Sequence, residues 1–164
     1  MNVLRFVSLM LATISMGLVA GVFGLYAHTV MPGLARTDDR TFVGAFQALD
    51  PAIINPWFIG GEFVGALVFT LVAAVSHLGE AALPWIAAAL VLYVVTFIIT
   101  IAVNVPLNDR IKAAGDPDSI ADLVTVRAQF DEARWVRWNL VRVGASTLAF
   151  ALLAWGLVLF GRSA

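Results

Sequence analysis

The sequence predicts an all-α membrane protein: an antiparallel bundle of four transmembrane helices, in one domain spanning residues 1–164. Three observations carry the prediction. Of the 164 residues, 61% are hydrophobic, and the mean hydropathy is +0.92. Only 13% are charged, against roughly a quarter in soluble domains. Four apolar runs of near-spanning length are separated by polar stretches, each run close to the ~20 residues that a hydrocarbon core requires.

The first span is read at about Phe6–Ala27. Met1 to Arg5 resembles the start of a signal peptide, but the apolar run that follows exceeds an h-region of about 7–15 residues, so a retained helix is expected. The second span is read at about Trp57–Ser76, the third at Leu83–Val103 and the fourth at Leu140–Phe160. Gly17 with Gly21, and Gly61 with Gly65, have the small-xxx-small spacing that lets helices approach, and close packing within the bundle is expected there. Pro84 suits the first turn of the third helix. Pro106 is expected to end that helix, because the residue before a proline is pushed out of the α region.

The connections are unequal. His77–Glu80 is a short link. After the first span, Met31-Pro32-Gly33-Leu34 reads as a turn. Thr37 or Asp38 then caps a short amphipathic helix up to about Leu49, with Phe42, Val43, Phe46 and Leu49 at helical spacing. Asp50-Pro51 is expected to stop it, with Asp50 a turn former, and Asn55-Pro56 opens the second span. After the third span, Asn104-Val105-Pro106-Leu107-Asn108 and Gly115-Asp116-Pro117-Asp118-Ser119 read as turns. A helix starting near Ser119 is expected to run into the fourth span and extend out of the membrane.

Lysine and arginine counts set orientation. The two long loops share one side and carry Arg36, Arg40, Arg110 and Lys112, against Arg5 and Arg162 opposite. Both long loops are expected in the cytoplasm and both termini outside. The net charge of −1 and the lack of a basic tail give no sign of a nucleic-acid partner. With no cysteine, disulfides and thiolate metal sites are excluded.

The polar residues converge on one mouth of this bundle. His28 ends the first span, and Gln47, Asp50 and Asn55 lie in the first long loop. Glu62 is just inside the second span, and Asn104 and Asn108 close the third. On one continuous helix, Arg127, Asp131, Arg134, Trp138 and Arg142 would fall within an arc of about 80°. Trp135 flanks that arc and Asn139 lies further round; Arg137 points away. An arginine at the mouth of a span must snorkel, pair or face a wet cavity, so Arg142 is a functional candidate, with Glu62 or Asp131 as its structural alternatives. His28 and His77 fall on opposite faces, about 30 Å apart by the thickness rule, and cannot share one haem within a subunit. No resident cofactor or metal is expected; a haem held by His28 alone stays open.

Several of these pieces, in this order, resemble the DUF1772, or anthrone oxygenase-like, family of small integral membrane proteins. They are Met31–Leu34, Gln47 with Asn55-Pro56, the Asn104–Asn108 segment, and Arg127 to Phe130 with Trp135, Asn139 and Arg142. The resemblance implies oxidation of an anthrone to a quinone with O₂, in a bacterial inner membrane. That chemistry needs a base for an acidic C–H, donors for the enolate oxygen and a flat apolar slot. His28 or Glu62 would be the base, and Arg142, Arg127, Asn139 and Asn104 would hold the oxyanion. Phe130, Trp135 and Trp138, with Gln47, Asn55 and Asn108, would contact a hydrophobic aromatic substrate delivered among membrane lipids. The competing readings are a membrane protein that binds or transports an anionic or aromatic small molecule without turnover, and a subunit of a larger complex; homo-oligomerisation is left open.

Overall fold

A computed structural model describes residues 2–163, with side chains described for 3–162. The described residues are helical with no strand: α1 (Asn2–Leu25), α2 (Met31–Leu34), α3 (Asp39–Ile53), α4 (Val64–Ser76), α5 (Leu83–Ile99), α6 (Val105–Ala113), α7 (Leu123–Phe130) and α8 (Glu132–Ser163). Four rods are long and apolar enough to cross a membrane: Val3–Leu34, Trp57–Ser76, Leu83–Ala113 and Leu123–Arg162. The protein is a four-helix integral membrane bundle. α1 packs on α4 and α8, and α5 packs on the same two, closing a ring of four.

Three of the rods change pitch on their way to the loop end. Residues Tyr26–Val30, Trp57–Phe63 and Thr100–Asn104 are π-helical, with i→i−5 hydrogen bonds. Two of these segments explain why prolines expected to break helices do not. A proline lacks an N–H and crowds the carbonyl four residues back. For Pro32 and Pro106 that carbonyl belongs to His28 and Ala102, each inside a widened π turn. Met31–Leu34 is therefore helical rather than a turn, and the third rod continues past Pro106 to Ala113, so Asn104–Asn108 is helix and not loop. α3 likewise runs through Pro51 to Ile53 instead of stopping at Asp50.

Side chains fix the π segments. Ser15 donates to the Gly61 carbonyl at 2.8 Å and Tyr93 donates to the Phe63 carbonyl at 2.8 Å. Both carbonyls lie in Trp57–Phe63, where the backbone ladder is irregular. Gly65 completes this turn. A Cβ there would sit 2.8 Å from the Gly60 carbonyl oxygen and 3.2 Å from the Phe69 ring. Gly65→Ala is accordingly expected to lower the thermal midpoint in detergent, with a cost of about 1–3 kcal/mol for overpacking; an unchanged midpoint would show that this turn gives way freely. The glycine spacing does not serve helix contact as expected. Of the four glycines named for it, Gly17 would press a Cβ on Phe150 of α8 and Gly65 on its own turn, whereas a Cβ at Gly21 or Gly61 would meet nothing within 4 Å.

The fourth rod is interrupted. α7 begins at Leu123, not near Ser119, with Asp122 as its N-cap. It ends at Asp131, whose φ of 54° and ψ of 62° are left-handed. The Asp131 carboxylate then accepts from the Arg134 N–H and starts α8. The arc running from Arg127 to Arg142 therefore does not exist as one helix face. On α8 the buried positions are Trp135, Asn139, Arg142, Ser146, Ala149, Leu153 and Gly156, alternating steps of four and three. Arg134 and Arg137 are exposed and Trp138 is half-buried.

Two cores result. A membrane core gathers Leu9, Met16, Phe63, Ile86, Tyr93 and Leu153. A cap core outside it holds Met31, Phe42, Phe46, Ile111, Phe130 and Trp135, where α3 and α7 fold over the ends of the rods. Asp38 caps α3 by accepting from Thr41 at 2.8 Å. This hydrogen bond holds the Asp38 carboxyl below its ordinary value, as the Thr125 hydrogen bonds do for Asp122. Each cap thus contributes at neutral pH and is lost only as pH falls through the lowered value.

Candidate functional site

Between the two cores lies a cavity of about 240 Å³. Its walls come from the π-helical ends of the rods and from α3. Phe23 and Tyr26 line it from the first rod, Phe58 and Phe63 from the second, and Thr100, Asn104 and Asn108 from the third. Phe46, Leu49, Asp50 and Ile53 of α3 form the lid side, and Trp135 and Arg142 of α8 the remaining wall. The π turns matter here because they bring Tyr26, Phe63, Thr100 and Asn104 onto this one surface.

Arg142 dominates the electrostatics. Its side chain sits in a residue only 4% exposed. Nη1 donates to Thr100 Oγ1 at 3.2 Å and Nη2 to Asn139 Oδ1 at 2.8 Å. The guanidinium carbon lies 4.4 Å from the Phe23 ring centre and 5.5 Å from that of Trp135. Nε is buried with no hydrogen-bond partner, and no carboxylate pairs with Arg142 among the described residues. Neither Glu62 nor Asp131, the partners the sequence offered, is engaged with it. A buried cation without a counter-charge costs several kcal/mol unless something anionic shares the space.

Asn139 supports this arginine from behind. Its Nδ2 donates to the Phe23 carbonyl at 3.1 Å, and the residue is fully buried off the cavity wall. Asn104 lines the cavity, donates to the Trp135 carbonyl at 3.3 Å and leaves its Oδ1 buried without a partner. The Trp135 indole donates to Asn108 Oδ1 at 2.7 Å, and Asn108 Nδ2 donates to Asp50 Oδ1 at 2.6 Å. Lys112 Nζ lies 2.7 Å from Asp50 Oδ2 and 3.0 Å from Asp109.

Of the residues singled out in the sequence, Asp50, Asn104, Asn108, Trp135 and Arg142 are brought together on the wall, with Asn139 behind them. The others stand elsewhere. His28 is exposed and bonded to Thr29. Glu62 is buried, with Oε2 unpartnered among the described residues, but off the cavity. Arg127 ties the cap together through Asp39 at 3.0 Å, Glu132 at 3.1 Å and the Thr37 carbonyl, stacked 4.1 Å over Phe42. Gln47 clips the two long loops through the Ile111 and Gly115 carbonyls. Asn55 accepts from the Phe58 N–H at the start of the second rod. Phe130 is buried in the cap core, and Trp138 does not line the cavity. Sequence reading missed Phe23, Tyr26 and Thr100, and it took Asp50 for a turn former; the burial of Asp50 depends on α3 running through Pro51. No group of three or more His, Asp or Glu side chains gathers among the described residues.

A family model described as anthrone oxygenase matches residues 55–152. The chain belongs to the anthrone oxygenase family. The matched segment runs from the start of the second rod through most of α8. It thus contains Thr100, Asn104, Asn108, Trp135 and Arg142, whereas Tyr26 and the α3 lid with Asp50 lie before it. No curated protein and no solved structure matches the chain.

Proposed function

We propose that this membrane protein oxidises a flat, acidic, anthrone-like aromatic to a quinone with O₂. Membership of the family supports the reaction class. The observation that carries the reading is Arg142, a buried cation with spare N–H donors facing an aromatic-lined cavity. Loss of a proton beside the ring ketone leaves an anion whose charge rests largely on oxygen. Arg142 would hold that oxygen, with Asn139 and Thr100 orienting the guanidinium and Asn104 on the same cavity wall. Phe23, Phe63 and Trp135 offer ring faces and edges for stacking. The electron-rich anion then reduces O₂ directly, so the reading needs no resident cofactor.

The setting is a bacterial inner membrane with the cap in the cytoplasm, as the lysine and arginine bias favours. Substrate and O₂ would both partition into the surrounding lipid. The test is to incubate purified protein with an anthrone in aerated detergent and to follow quinone formation with the full absorbance spectrum. Acceleration over the uncatalysed background is expected. Tight binding of a hydroxyanthraquinone without any acceleration would replace catalysis by carriage or storage of an aromatic anion. A Soret band would replace direct electron transfer to O₂ with haem chemistry.

A further inference from the structure

The cavity is polarised. Arg142 and Asp50 both line it, no ion pair joins them, and they are connected only through the Trp135 indole and Asn108. The guanidinium lies over one part of the indole, at 5.5 Å from the ring centre. The indole N–H reaches Asn108, and Asn108 in turn holds Asp50 Oδ1. The Asp50 residue is 7% exposed. The other carboxylate on this wall, Asp109, is exposed.

We propose that Asp50 is the base that takes the acidic proton, acting across the substrate ring from Arg142. The inference rests on the oxygenase reading above. In an anthrone, the ketone oxygen and the acidic CH₂ occupy opposite positions of the central ring. A donor for the oxygen and an acceptor for the proton must therefore stand apart by about a ring's width. If the two groups touched, they would neutralise each other as an ion pair; here Asp50 pairs with Lys112 at 2.7 Å instead, and Arg142 keeps no carboxylate partner among the described residues. Lys112 and Asn108 orient the carboxylate from the loop side.

The steps balance. The C–H bond breaks, its proton goes to an Asp50 carboxylate oxygen, and the electron pair delocalises onto the ketone oxygen at Arg142. One electron passes to O₂, and recombination with the resulting superoxide forms a C–O bond to a peroxide. Asp50 returns its proton to the terminal peroxide oxygen. It then removes the second C–H proton as the O–O bond breaks, and that proton leaves with the departing hydroxide as water. The net change is one O₂ consumed, one carbonyl formed and one water released.

Asp50→Asn, which keeps the shape and an acceptor for Asn108, tests the assignment. The probes are an anthrone for turnover and a hydroxyanthraquinone for binding. Turnover is expected to fall about 10²–10⁴-fold, the usual contribution of a positioned base, with the hydroxyanthraquinone bound as in wild type. Supplying the substrate already ionised, at alkaline pH, should restore much of the lost rate, since the first proton is then already gone and hydroxide can take the second. Turnover within about threefold of wild type, parallel loss of turnover and binding, or no alkaline rescue would each overturn the assignment. If wild type itself does not accelerate the reaction, the oxygenase reading falls first and separately.

Discussion

Arg142→Met is expected to abolish binding of a hydroxyanthraquinone anion and to lower anthrone turnover by about 10²–10³-fold, the scale of losing a principal oxyanion donor. The same variant should melt no lower than wild type in detergent. The guanidinium is buried without a counter-charge, and stranding such an ion costs several kcal/mol. Removing it also strands Asn139 Oδ1, at a cost of about 1–3 kcal/mol. The first quantity is the larger, so function and stability move in opposite directions. Calorimetry or a thermal shift assay, paired with ligand titration, reads both. A fall in midpoint with the anion still bound would make Arg142 a packing residue and remove the main support for the proposed function.

Trp135→Ala should do the reverse and damage both together. The indole joins the cap core, contacts Phe46 and Tyr26, and walls the cavity. Truncating a buried tryptophan costs about 3–5 kcal/mol. It would also free Asn108 and open a route for Asp50 to approach Arg142, closing the anion site by self-pairing. Trp135→Phe separates the two effects. It keeps most of the bulk and loses only the N–H to Asn108, for about 1–3 kcal/mol of stability, and anion affinity should survive. If Trp135→Phe loses affinity as completely as Trp135→Ala, separation of the charged groups is not what the indole provides.

The bundle was legible because hydropathy and length are coarse signals that tolerate local irregularity. The four rods, the short link at His77–Glu80, and α3 with its Asp38 cap all follow from run length, apolar spacing and one capping residue. The convergence of Asn104, Asn108, Trp135, Asn139 and Arg142 at one end follows from topology alone. What failed was the assumption of a single period and of proline as a terminator. Counting turns puts Arg127 beside Arg142 only on a helix continuous through Asp131, where the backbone turns left-handed. Pro51 makes Asp50 look like a turn former, whereas α3 runs through the proline and carries Asp50 on its buried face. His28 sits at the right depth, but it is exposed and bonded to Thr29 rather than facing the cavity.

A π segment also has an arithmetic. Along the third rod the buried residues run Ile86, Ala89, Tyr93, Thr96 and Ile99, in steps of three or four, and then jump five to Asn104 before resuming at Leu107 and Ile111. The segment carries one residue more than an α-helix would need. Losing one residue between Thr100 and Asn104 would leave a rod still long enough to span, and straighter. It would also turn everything beyond by about 100°. Asn104, Asn108 and Lys112 would swing off the cavity, and Leu107 and Ile111 would leave the cap core. The reactive end of this bundle is thus out of phase with its membrane-spanning part by one residue of surplus length.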